Sequence, residues 1–212
     1  VLDNIQENQL WRGSAPLMLA SKSAARRTLL ESARLPVETI AVEVDERRLE
    51  AEAEAVAEGA DPPTVAAVLA QAKARAGSAS YPGRLVLGAD QTLALGGEAF
   101  HKPASLQGAR TQIARLSGRT HALHSAIAVA QDGAIVFETV ETAHLTMRPL
   151  AEEAIDAYLA AAGDAVLSSV GGYQLEALGI HLFERVEGDH AVILGLPLLP
   201  LLAFLRRHGD LI

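Results

Sequence analysis

Strand-like and helix-like segments alternate along nearly the whole chain, and that alternation restricts its fold more than any other feature. Residues 17–20 are a short apolar run, a strand, that leads through Ser21 and Ser23 into a helical pattern at residues 23–35. There Leu29, Leu30 and Leu35 recur among good helix formers before Pro36 stops the run. Residues 37–44 read as a second strand, and residues 45–59 as an acidic, alanine-rich stretch. Pro62 and Pro63 start a helix expected to end near Ala76, and a strand follows at residues 84–88. Residues 105–116 are helical in pattern, and the apolar runs on either side of Asp132-Gly133 predict a hairpin. Helix returns at residues 151–162, and residues 166–173, 181–186 and 191–194 look extended. A last helix starts near Pro197 and stops before Gly209. The expected class is α/β, a mixed and partly antiparallel sheet with packed helices. Residues 1–16 read as an N-terminal extension and 17–212 as a single domain.

Composition removes several classes of function. Half of the 212 residues are apolar, enough for a substantial core, and the absence of cysteine excludes disulfides and thiolate metal sites. A net charge of −8 argues against a nucleic-acid polymer or an anionic membrane as partner. Without a long apolar run or a signal-like start, the expected location is cytoplasmic. The P-loop, dinucleotide and serine-hydrolase signatures are missing. His121 and His124 have an H-x-x-H spacing, but on a strand they face opposite sides and do not share a metal. The leucines at 198, 199, 201, 202 and 205 read as core or dimer packing.

The segment with chemistry in it is residues 19–30. Ser23 is the natural N-cap, which puts Arg26 and Arg27 at the third and fourth helical positions, where the helix dipole disfavours cations. Either the two arginines face solvent and surface carboxylates, or a polyanion compensates them. A phosphate chain held by free backbone N–H groups, the Ser21 and Ser23 hydroxyls and a guanidinium would do so. Gly88-Ala89-Asp90 follows an apolar strand, so that a carboxylate is expected at the strand's C-terminal end. Lys73 and Lys102 are further candidate cations.

Together these segments resemble the Maf family of nucleotide pyrophosphatases. Its opening signature is matched by Ser21, Ser23, Arg26, Leu29 and Leu30, with Ala24 in place of a proline. Val44-Asp45-Glu46, Lys73, Gly88-Ala89-Asp90, Lys102-Pro103, the run from Leu116 to Thr120, Glu187-Gly188-Asp189 and Gly195-Leu196-Pro197 match in order. The resemblance implies two lobes around a deep cleft, a homodimer, and metal-dependent hydrolysis of a nucleoside triphosphate to the monophosphate and pyrophosphate. It assigns Asp90 to activating water, directly or through Mg²⁺ or Mn²⁺, and Ser21, Ser23, Arg26, Lys73 and Lys102 to phosphate oxygens. Glu46 is either a second metal ligand or an acidic residue in a surface turn.

Specificity is expected at three positions. Gln91 and Glu176 resemble the 7-methyl-GTP subgroup, whereas Thr with Gln marks the dTTP and UTP type. A carboxylate at Glu176 suits guanine, which offers it two donors. Ala25 departs from that subgroup, which carries a stacking Trp there. A purine or modified purine is the expected substrate, and dTTP or UTP the alternative. A nucleotide-binding regulator of cell division is a second class, but a binder has no use for Asp90 among its phosphate ligands.

Overall fold

The structure is a computed structural model that describes residues 10–56 and 61–212. It is an α/β fold. Its strands are β1 (Leu17–Ala20), β2 (Val37–Thr39), β3 (Val86–Leu95), β4 (Glu98–Phe100), β5 (Thr120–Gln131), β6 (Ala134–Met147) and β7 (Phe183–Glu187). The helices are α1 (Ala24–Ser32), α2 (Glu46–Val56), α3 (Pro62–Ser80), α4 (Leu106–Leu116), α5 (Glu152–Ala162), α6 (His190–Ile193) and α7 (Leu198–His208). The strand order is β2-β1-β3-β5-β6-β7, with β4 on β3. The chain divides into two compact units, residues 1–91, 125–141 and 195–212 in one, and 92–124 and 142–194 in the other.

In the first unit β1 pairs in parallel with both β2 and β3. All four β1 residues are buried, as expected of a parallel strand covered on both faces. Leu17 and Leu19 join Leu30, Leu87, Leu201 and Leu205 in one core, which brings α1 and α7 to that face. Met18 and Ala20 pack with Val86 on the other face. Ala66, Ala70 and Ala74 of α3 recur every fourth residue and meet Ala126, Ala128 and Ala130 of β5. Small side chains on both sides let α3 approach the strands closely. Of the leucine stripe, Leu201 and Leu205 are core, Leu198 and Leu202 pack against it, and Leu199 is 65% exposed. The described part of the expected N-terminal extension is tied down: Trp11 is buried in the same core and Arg12 N donates to Asp210 O at 2.7 Å.

The second unit has its own core, including Leu93, Ile113, Leu145, Met147 and Ile155. β4 pairs antiparallel with β3, and β7 antiparallel with β6.

Three expectations need correction, and the acidic stretch, which the sequence left without an element, gains one. The second strand ends at Thr39 instead of Val44, because β1 has run out by Ala20 and offers no further ladder partner. The acidic stretch holds a helix, α2, within its described residues. Residues 166–168 and 170–172 lie in 3₁₀ turns and only Ser169 and Tyr173 are extended; Gly171 and Gly172 take φ of 78° and 73°, outside the β region. Residues 191–194 belong mainly to a short helix, capped by Asp189, whose Oδ1 accepts from Ala191 N at 2.8 Å.

Candidate active site

Polar residues gather where β1 ends. The parallel register sets Ala20 opposite Gly88, so the chain leaving β1 passes beside Ala89 and Asp90. Contrary to the sequence expectation, Asp90 is not at the end of its strand, which continues to Leu95. It lies beyond the end of the shorter β1, where β3 changes from buried to half-buried.

Ser23 caps α1, its Oγ accepting from Arg26 N at 3.4 Å. Ser21 Oγ accepts from Ser23 N at 3.3 Å. Each hydroxyl keeps its own hydrogen to donate. The two arginines of the first turns then part. Arg27 pairs with Glu31 at 2.6 Å one helical turn on, with 59% of its side chain exposed, which is the solvent-facing alternative. Arg26 turns inward, donating from Nε to Gly195 O at 2.8 Å and from Nη1 to Ala89 O at 2.7 Å and Ser21 Oγ at 3.2 Å. Its Nη2 donates to nothing among the described residues. Burial pulls the guanidinium below its ordinary pKa, and the charges of Asp90 and Glu46 push it back up. It stays a cation throughout.

Lys73 reaches this place because α3 lies directly on β3. A Cβ on Gly88 would stand 2.1 Å from Ala70 O and 2.5 Å from Ala74 N, so no side chain fits there. Lys73, next to Ala74, places its Nζ 2.6 Å from Asp90 Oδ1 and 2.7 Å from Glu46 Oε1. The Lys73 and Asp90 side chains are each 14% exposed, so this pair is well shielded from water, while Glu46 is 53% exposed. Glu46 opens α2, where a carboxylate favours the helix dipole. Both carboxylates converge on the Lys73 ammonium, and both are hard oxygen donors of the kind that Mg²⁺ or Mn²⁺ takes together with substrate phosphates.

Gln91 donates from Nε2 to Ser125 Oγ at 2.9 Å. Ser125 is fully buried on β5, a partner that no sequence motif announced. Ala25 is half-buried in the first turn of α1. Ser21, Ser23, Ala25, Arg26, Glu46, Lys73, Asp90 and Gln91 all belong to the first unit, whereas Lys102 and Glu176 belong to the second. Lys102 is exposed, its segment pinned by Gln112 donating to His101 O at 2.8 Å. Glu176 is exposed in a turn closed by Gly179 N donating to Gln174 O at 3.1 Å.

The second unit also holds a buried polar pair of another kind. His121 Nε2 and Tyr173 OH are 2.7 Å apart, and both rings pack on Phe183. His121 is 2% exposed, its Nδ1 is buried without a partner, and burial pushes its pKa down to about 4. The same cause raises the Tyr173 hydroxyl well above its ordinary value. His124, on the opposite side of β5, bonds Thr142 instead, and no group of three or more His, Cys, Asp or Glu side chains able to hold a metal occurs among the described residues.

Residues 16–208 match one family model, described as Maf-like protein. The nucleoside triphosphate pyrophosphatase of Bradyrhizobium diazoefficiens is 56% identical over 197 residues, covering 93% of this chain and 96% of that protein. A nucleoside triphosphate pyrophosphatase of Nitrobacter winogradskyi is 53% identical over 197 residues, with the same coverage. A protein of Rhizobium etli named 7-methyl-GTP pyrophosphatase is 51% identical over 195 residues, covering 92% of this chain and 97% of its own.

Proposed function

The chain belongs to the Maf-like protein family, and we propose that it hydrolyses a nucleoside triphosphate to the nucleoside monophosphate and pyrophosphate. Its similarity to two nucleoside triphosphate pyrophosphatases supports the reaction. The observation that carries the reading is Arg26, held inward with Nη2 unspent, in the field of the Lys73–Asp90–Glu46 group.

The residues divide the work by charge. Arg26 Nη2 and the Ser21 and Ser23 hydroxyls supply donors to phosphate oxygens next to the positive end of α1. Lys73 holds the Asp90 carboxylate in place and adds a second cation. Asp90 accepts the proton of the attacking water, the chemistry of phosphoryl transfer being mostly alignment and charge neutralisation. A divalent cation held by Glu46 and Asp90 would neutralise phosphate charge and make the bound water more acidic.

For the base, Gln91 and Glu176 favour a purine, and the name of the Rhizobium etli relative supports a methylated guanine. Glu176 accepts from the two donors that guanine offers and uracil or thymine does not. Ala25 supplies no stacking surface. A pyrophosphate-release assay across purine, 7-methylated and pyrimidine triphosphates, with and without Mg²⁺, tests both levels. Pyrophosphate and monophosphate as products, fastest from a purine, are expected. Release of orthophosphate would overturn the reaction, and fastest turnover of UTP or dTTP would overturn the base preference alone.

A further inference from the structure

Arg26 is held by neutral acceptors. Gly195 O takes the Nε hydrogen at 2.8 Å, while Ala89 O and Ser21 Oγ take the Nη1 hydrogens at 2.7 and 3.2 Å. A planar guanidinium bonded at Nε and Nη1 has no rotation left, and its free edge is Nη2. No carboxylate bonds to it directly among the described residues, so its charge is positioned without a paired counter-ion. Gly195 lies 169 residues from Arg26 along the chain. Its φ of 89° is one that glycine adopts without strain, and Leu196 beside it is fully buried in the core with Leu19 and Leu30. A Cβ on Gly195 would stand 3.0 Å from Arg26 Nε and 3.1 Å from Nη2. The loop thus touches the guanidinium with a carbonyl on one atom and with missing side-chain bulk on the edge left for a ligand.

We propose that Gly195 is a positioning residue for triphosphate binding: its carbonyl and its lack of a side chain fix the Arg26 guanidinium with the Nη2 edge open to a phosphate oxygen. The proposal rests on the reading of Arg26 as a phosphate ligand.

The test is a double-mutant cycle on the full-length protein with Gly195→Ala, Arg26→Ala and both together. The readouts are KM and kcat for the triphosphate and inhibition by inorganic tripolyphosphate. Gly195→Ala is expected to raise KM and the tripolyphosphate inhibition constant about tenfold with kcat within about threefold, and to add less than about twofold once Arg26 is gone. An unchanged KM in Gly195→Ala, or its full effect persisting without Arg26, overturns the proposal. An unchanged KM in Arg26→Ala overturns the phosphate reading itself and the proposal with it. Should Gly195→Ala fail to fold, chemical rescue decides: guanidinium ion restores triphosphate affinity to Arg26→Ala several-fold where methylammonium does not. Equal response to the two cations would overturn the proposal.

Discussion

The two units each enclose a polar group, and the two groups are built on opposite terms. Around Asp90 the groups are ions, partly open to water, held by one another and by backbone carbonyls, with donors of Arg26 and the serine hydroxyls left unspent. Around His121 the groups are neutral, sealed by Tyr173 and Phe183, and satisfied mainly by one hydrogen bond. A site for a charged ligand needs charge that the fold has placed but not consumed. A buried structural pair needs the reverse, since any charge it gained would go unsolvated. Substitution in the first group should therefore alter turnover more than stability, and titration of the second should alter stability more than turnover.

The largest expected effect is that of Asp90→Asn, which keeps shape and removes the base. Turnover should fall about a thousandfold while the dissociation constant for triphosphate changes by about threefold or less. Retained turnover would erase the distinction between the groups. Next comes pH. His121 has a folded-state pKa of about 4, below its ordinary 6.5, so the unfolded chain takes up the proton first as pH falls. Its contribution is present above pH 6.5 and lost as pH drops toward 4, by roughly 3 kcal/mol. Denaturant unfolding at several pH values should show His121→Gln losing less stability than wild type over this window, with turnover at pH 7 unchanged. Parallel curves for the two proteins would show that the pair is not sealed. A smaller effect is expected for Arg26→Ala, about tenfold to a hundredfold in triphosphate binding with nucleoside binding unchanged, read by calorimetry. Equal losses for both ligands would remove Arg26 from the phosphate. The smallest is Arg27→Ala, whose exposed pair with Glu31 should shift unfolding by no more than about 0.5 kcal/mol and leave KM alone.

The elements legible in the sequence are those with strong local signals. Ser23 caps α1, and Asp132 and Gly133, with φ of 50° and 81°, turn the hairpin between β5 and β6. Helix α2 escaped because Glu, Arg and Ala repeat there without an apolar stripe, so its packing through Leu49 on Val65 and Leu69 left little trace in the pattern. The 3₁₀ turns before Tyr173 escaped because Val166, Leu167 and Val170 suggest a strand until the two glycines are given their backbone angles. At the site, a cation in the wrong turn of a helix was readable, but nothing local separates Arg26 from Arg27. Gly195 O and Ala89 O make that choice, and both are distant in sequence. Gly88 was visible as part of a motif. Its reason, the contact with Ala70 and Ala74 that delivers Lys73 to Asp90, exists only in three dimensions.

The central claim is that Arg26 and the Lys73–Asp90–Glu46 group serve one triphosphate. A crystal structure with a triphosphate whose α,β-bridging oxygen is replaced by methylene, so that it binds without being cleaved, addresses it directly. A phosphate oxygen within hydrogen-bond distance of Arg26 Nη2, with the α-phosphate beside Asp90, is the expected result. A triphosphate bound with Arg26 still facing no phosphate, or with its α-phosphate remote from Asp90, would contradict the account.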